Sequence, residues 1–317
     1  MNGKKRTSKR SISAGCVSVP LGLDYAPLAL LPFGSRIASV GYARTPLSSE
    51  EKITQETLVS DHVVANFYSP GLTKHSRSVL TRTHPWKTAW FHLGNGECVV
   101  RNGKLLLNGM RWYSFFELIP GWRESYGRSY PLELFEIDEV SIRSLGPSPD
   151  PAPRVFAHMR QYHFGNRIVR MASDFKMECA TTNGEVCWQI NLKSHLYTAI
   201  DEHDGMLYFG TSGNGGRCWG VSLANGDVRF SVNTGGTEAY IWWGGQLICT
   251  ESRNGTLLAL DRSSGAVLAT LAAGNILINS GALLLVVDDW LYTTGHNGGQ
   301  NHIVAFHLPM QLETLNA

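Results

Sequence analysis

Histidine, cysteine and carboxylate spacings show where chemistry could sit in this chain of 317 residues. His296 and His302 bracket the loop Gly295-His296-Asn297-Gly298-Gly299-Gln300-Asn301-His302, a gap that could bring two imidazoles to one metal ion. A catalytic zinc takes three protein ligands, and no carboxylate or third histidine sits in that loop. His84, His158 and His163 are isolated and read as structural. Asp201-Glu202-His203-Asp204 has the composition of an acid–base cluster, yet it runs straight into Gly205, which marks a solvated hairpin end. Thr211-Ser212-Gly213-Asn214-Gly215-Gly216 is glycine-rich, but it joins two apolar runs, so no helix N-terminus stands behind it to receive a phosphate. Nucleophile-elbow, P-loop and dinucleotide-binding glycine patterns are absent in the strand–turn–helix setting they require. The six cysteines (Cys16, Cys98, Cys179, Cys187, Cys218, Cys249) form no C-x-x-C and are too sparse for a disulfide framework. They are expected as small apolar side chains inside strands. The expectation is a protein that is not an enzyme and holds no metal or cofactor.

The elements that would carry such residues repeat. Leu207, Leu247 and Leu291 each sit in a short apolar run just after a turn, with steps of 40 and 44. Each run is followed by a Gly/Asn-rich loop and a second run: Cys218–Leu223, Leu257–Leu260 and Ile303–Phe306. Further turns, Asn183-Gly184, Asn225-Gly226 and Ser264-Gly265, each precede another strand. Asn-Gly between apolar strands signals a hairpin, because the turn demands positive φ. A period near 40 with four short strands per unit is the pattern of propeller blades. Ile168, Leu105 and Val63 extend the series towards the N-terminus, with an insertion at about 110–160. The predicted fold is therefore all-β: a β-propeller of six or seven four-stranded blades, any seventh coming from 20–50 or from the insertion. A propeller must fasten its ends, so Ala26–Pro32 or Arg36–Ala43 is expected beside Ile303–Phe306.

Composition narrows the function classes. Hydrophobic residues make up 43%, enough for a packed core, and the longest apolar run, Ala282–Val287, is far short of the roughly 20 residues of a membrane span. The net charge of +2 comes from Lys4, Lys5, Arg6, Lys9 and Arg10, and residues 11–317 carry 23 basic against 26 acidic side chains. A direct nucleic-acid binder shows its basic face on the folded body, so that class is set aside, as is a membrane protein. Residues 1–18 are expected as a disordered basic tail and 19–317 as a single propeller domain. No apolar stretch follows Arg10 as a secretory signal requires, so the expected location is cytoplasmic.

Leu257-Leu258-Ala259-Leu260-Asp261-Arg262-Ser263-Ser264-Gly265-Ala266-Val267-Leu268 resembles the repeat of the PQQ-like β-propellers, which reads A-L-D-x-x-T-G-x-x-x-W. Asn183-Gly184-Glu185-Val186-Cys187-Trp188 resembles its end, including the tryptophan that in the family docks one blade on the next. Phe230 and Ala269 stand at the positions matching Trp188, and Ala180 and Ser222 at those matching Asp261. The resemblance covers 160–310 well and 55–160 poorly. It implies a quinoprotein dehydrogenase only where adjacent cysteines face the quinone, and this chain has no Cys-Cys. It also implies stand-alone cytoplasmic members of the bacterial immunity-protein type, which bind and neutralise a toxin such as a nuclease. The predicted function is thus a non-catalytic, protein-binding propeller whose partner is a protein, in the immunity reading a basic toxin. The alternative is a carbohydrate-binding or enzymatic propeller (lectin, hydrolase or quinoprotein-like) using its central channel. Binding is expected on the face carrying the longer loops, through Trp219, Glu238, Tyr240, Glu251, Arg253, His296 and His302. The aromatic-rich insertion, with Trp112, Tyr113, Phe115, Phe116, Trp122, Tyr126 and Tyr130, is expected as a long hairpin or extra blade.

Overall fold

The computed structural model describes residues 16–22, 25–43, 59–87, 97–109, 133–147, 160–213 and 215–307. Strand β1 is Cys16–Gly22. The first sheet holds β2 Tyr25–Phe33, β3 Arg36–Ala43, β4 Val59–Tyr68 and β5 His75–Lys87. The second holds β6 Glu97–Arg101, β7 Lys104–Gly109, β8 Glu133–Ile137 and β9 Ile142–Pro147. The third is β10 Gln161–Phe164, β11 Arg167–Ser173, β12 Lys176–Thr181 and β13 Val186–Asn191. The fourth starts with a broken strand, β14 His195–Leu196 and β15 Asp201–His203, both on β16 Met206–Ser212, and continues through β17 Gly216–Ser222 and β18 Val228–Gly235. The fifth is β19 Tyr240–Trp243, β20 Gln246–Glu251, β21 Thr256–Leu260 and β22 Val267–Leu271. The sixth contains β23 Leu284–Val287, β24 Trp290–Asn297 and β25 Gln300–His307, with β1 as its outer strand beside β25. The fold is all-β, and its repeating unit is the four-stranded antiparallel meander of a propeller blade.

The chain divides into two units, one containing Val155–Asn297 with the chain end from Phe306, the other Val17–Arg154 with Gly298–Ala305. Within the first unit the physical logic of the sequence is plain. Successive residues of a strand face opposite sides of the sheet. Leu207 and Phe209 on β16, with Trp219 and Val221 on β17, therefore join Val169, Met177 and Trp188 of the third sheet. The intervening residues Tyr208 and Cys218 join Leu247, Cys249 and Leu260 of the fifth. Both faces of the fourth sheet are covered, so its middle strands read as nearly continuous buried runs instead of an apolar–polar alternation. In the second unit Ala38, Val40, Val63, Ala65 and Phe67 of the first sheet meet Leu105, Phe135 and Ile137 of the second in the same way.

Neighbouring sheets of the first unit are pinned by a ring set against a glycine. Trp188 of β13 donates from Nε1 to the Leu223 carbonyl at 2.9 Å. Its ring fills the space beside Gly226, where an added Cβ would come within 2.8 Å of it. Phe230 of β18 repeats the arrangement one sheet on, against Gly265. This is the docking contact that the resemblance implies for Trp188, and it shows why a second aromatic, Phe230, stands at the matching position.

Several expectations need correction. The strand beside β25 is β1, Cys16–Gly22, and not Ala26–Pro32 or Arg36–Ala43, which pair with each other as β2 and β3. Val63 lies on the third strand of its sheet, whereas Leu105, Ile168, Leu207, Leu247 and Leu291 lie on second strands; the counterpart of these is β3. Residues 25–43 thus complete the first sheet and build no separate blade. Strands β8 and β9 fall inside the stretch 110–160 and supply the third and fourth strands of the second sheet. All seven named aromatics of that stretch lie outside the described residues, as does most of the basic tail, although 16–18 belong to β1.

Replacing Trp188 by Ala should cost about 3–5 kcal/mol in denaturant unfolding, and Trp188→Phe much less, because Phe230 does the same work one sheet on. Gly226→Ala should destabilise too, since the site has φ of 77° and no room for a Cβ. Unchanged unfolding midpoints would show that the ring–glycine contact does not hold the sheets. Deleting residues 1–22 should leave β25 with an open edge and produce soluble aggregates in light scattering, where a monodisperse monomer would contradict the pairing.

Candidate functional site

In an antiparallel meander the connections fall at two ends of each sheet. In the third, fourth and fifth sheets the tight turns Gly165-Asn166, Asp204-Gly205 and Gly244-Gly245 join first to second strands. Asn225-Gly226 and Ser264-Gly265 join third to fourth strands at the same end. The longer loops lie at the opposite end.

Residues expected to bind at the loop end hold the fold in several cases. Trp219 is buried, stacks on Phe209 at 6.0 Å and donates to Thr211 Oγ1 at 3.1 Å. Glu251 is also buried, its carboxylate accepting from the Thr256 hydroxyl at 2.9 Å and from the Asn254 side-chain and backbone nitrogens at 3.1 and 3.3 Å. Tyr240 is half-buried and its hydroxyl lies between two carbonyls of the fourth sheet, Tyr208 at 3.0 Å and Ala199 at 3.2 Å. Burial pushes its phenol up, and the Asp201 carboxylate adds to that. Glu238 accepts from the Ser212 hydroxyl at 2.6 Å, and Arg253 is exposed with its stem against Gly235. His296 exchanges backbone hydrogen bonds with Leu277, both at 2.9 Å. Burial pushes the His302 imidazole down. The Nδ1 atoms of both histidines are buried and have no partner among the described residues. No group of three or more His, Cys, Asp or Glu side chains converges among the described residues.

An open groove of about 450 Å³ lies at the other end, lined by Phe164, Ile200, Asp201, Glu202, His203 and Trp242. Its walls come from the first strands of three consecutive sheets, each just before its tight turn. The Asp204-Gly205 turn, with φ of 53° and 75°, is fixed by Glu202, whose Oε1 accepts from the Gly205 amide at 2.6 Å. Trp242 is held edge-on by Tyr208 at 4.7 Å and by His203 at 5.4 Å. Arg262, from the β21–β22 turn, sits at the rim with one Nη1 3.2 Å from Asp204 Oδ2 and 3.0 Å from His203 Nε2. Its carbonyl accepts the Tyr208 hydroxyl at 3.1 Å, tying that turn to the fourth sheet. Asp201-Glu202-His203-Asp204, read from the sequence as a hairpin end, is indeed one; its partners Phe164 and Trp242 are about 40 residues away on either side, which no local pattern links.

The turn bearing Arg262 is organised by Asp261. Its Oδ1 accepts from the amides of Ser263 and Ser264 at 3.1 and 2.8 Å and from their hydroxyls at 2.7 and 2.6 Å. Asp138 repeats this capping in a shorter turn between β8 and β9, accepting from the Val140 and Ser141 amides. Sequence comparison missed that repeat because it lies inside the presumed insertion.

No family model matches the chain, and no curated protein matches it. Solved structures similar to it include BamB from Moraxella catarrhalis, at 12% identity over 92% of this chain and 98% of that one, with a TM-score of 0.33. Sqt1 from Saccharomyces cerevisiae is 12% identical over 94% and 87% of the two chains, with a TM-score of 0.39. The computationally designed Ika8 protein is 12% identical over 89% and 83%, with a TM-score of 0.40.

The serine bonds pull the Asp261 carboxyl down from 3.8 to about 2. A folded value below the unfolded one adds stability that is complete above about pH 4 and is lost as the pH falls towards 2. Asp261→Asn keeps the acceptor oxygen and removes the titration. The parent's melting temperature should therefore fall further than the variant's between pH 5 and pH 2, and equal falls would contradict the assignment.

Proposed function

We propose that the chain is a non-catalytic propeller that binds another protein. The observation that supports this reading is the groove at the turn end: exposed carboxylates and half-buried aromatic side chains from three packed sheets line an open concavity. Aromatic anchors set among polar groups are what protein interfaces use, and a scaffold of packed sheets presents them without an ordering cost. The more specific form of the proposal is an immunity role, in which a basic toxin such as a nuclease is held and neutralised. The balance of 23 basic to 26 acidic side chains over 11–317 favours a basic partner through steering.

The test is affinity capture from the native host, identification of the retained protein, and calorimetry of the purified pair. A one-to-one complex in the micromolar range or tighter, and loss of the partner's toxicity on co-expression, are the expected results. Retention of a glycan or small molecule with no protein would replace this reading with the lectin or enzyme alternative.

A further inference from the structure

The groove has a sign as well as a shape. Asp201 and Glu202 both line it, both are exposed, and neither forms an ion pair among the described residues. Asp201 lies beside the Tyr240 hydroxyl, and Glu202 Oε1 accepts from the Gly205 amide. Among the described residues, Arg262 at the rim faces Asp204 and touches His203, while Arg160 and Asp201 both act on Tyr162 behind Ile200. Phe164 and Trp242, half-buried, line the groove with the two carboxylates from the sheets on either side. Ring faces attract cations, most strongly when the cation is partly shielded from water, and a carboxylate adds a charge-assisted hydrogen bond. An acidic side chain would be repelled by these carboxylates, and a neutral one would offer them no counter-charge.

We propose that this groove receives a cationic side chain, arginine or lysine, from a basic segment of the partner protein. The proposal rests on the protein-binding reading and deepens it: the turn end, and not the loop end, reads the partner. Arginine suits the site best, since its flat guanidinium can lie on an aromatic face while its edge meets Asp201 or Glu202.

Calorimetry with a hexa-arginine peptide, and with hexa-glutamate as the control, tests this on the full chain. Hexa-arginine should bind and hexa-glutamate should not. The Asp201→Asn/Glu202→Gln double variant should bind the basic peptide about tenfold more weakly, while Asp289→Asn, at an exposed turn of the sixth sheet, should leave affinity unchanged. Trp242→Leu should lose about two- to fivefold and Trp242→Phe should retain most of the binding. The Trp242 pair decides the matter if the double variant does not fold. Equal affinity in the parent and in folded double and Trp242→Leu variants would overturn the proposal, as would binding of hexa-glutamate. A captured protein partner that binds the parent and the double variant equally would overturn the groove while leaving the protein-binding function standing. Recognition of hexa-arginine with the predicted losses, but no protein partner in capture, would uphold the groove and remove the protein-binding function.

Discussion

A four-stranded sheet with two apolar faces cannot be stable by itself, and the contact that answers this demand in the best-matched part of the chain is an aromatic ring set on a neighbour's glycine. Trp188 on Gly226 and Phe230 on Gly265 fix the third sheet to the fourth and the fourth to the fifth. The ring needs a site without a Cβ, the turn with positive φ needs a glycine there, and a bulge in the strand just after the turn re-aims the chain. Each requirement is local, but together they set the spacing between sheets. The groove is one result of that spacing, because its walls are contributed by three sheets held in this way.

The architecture was legible because its determinants are local and repeat. Leu207, Leu247 and Leu291 are spaced by the length of one meander, and Asn225-Gly226 or Ser264-Gly265 announce their turns by residue type alone. The first sheet was harder to place. Strands β3 and β4 are separated by residues 44–58, which lengthens the spacing and moved the apparent repeat one strand along, to Val63. The strand beside β25 was also misplaced, since Cys16–Gly22 carries the modest pattern Val-Ser-Val-Pro while Ala26–Pro32 is far more apolar. The more apolar segment is the one with its own sheet to build.

The site was much less legible. Glu251 ends a strand beside Ser252-Arg253-Asn254, so in sequence it looks like a wet loop carboxylate; in three dimensions it turns inward to hold its own hairpin. Trp219 looks like an anchor by type, but the alternation along β17 sends it to the same side as Val221, into the core. The reverse holds for Asp201, Glu202 and Trp242. A polar run before a glycine and an aromatic strand are individually ordinary, and only the docking of successive sheets brings them to one groove.

That contrast makes the proposal specific: the partner is to be read at the short-turn end of the fourth and fifth sheets and not at the longer loops. Hydrogen–deuterium exchange of the chain with and without its captured partner reads this directly. The account predicts protection on binding in 200–205 and 240–245, with 251–255 and 296–302 unchanged. Protection confined to 251–255 and 296–302 would contradict it.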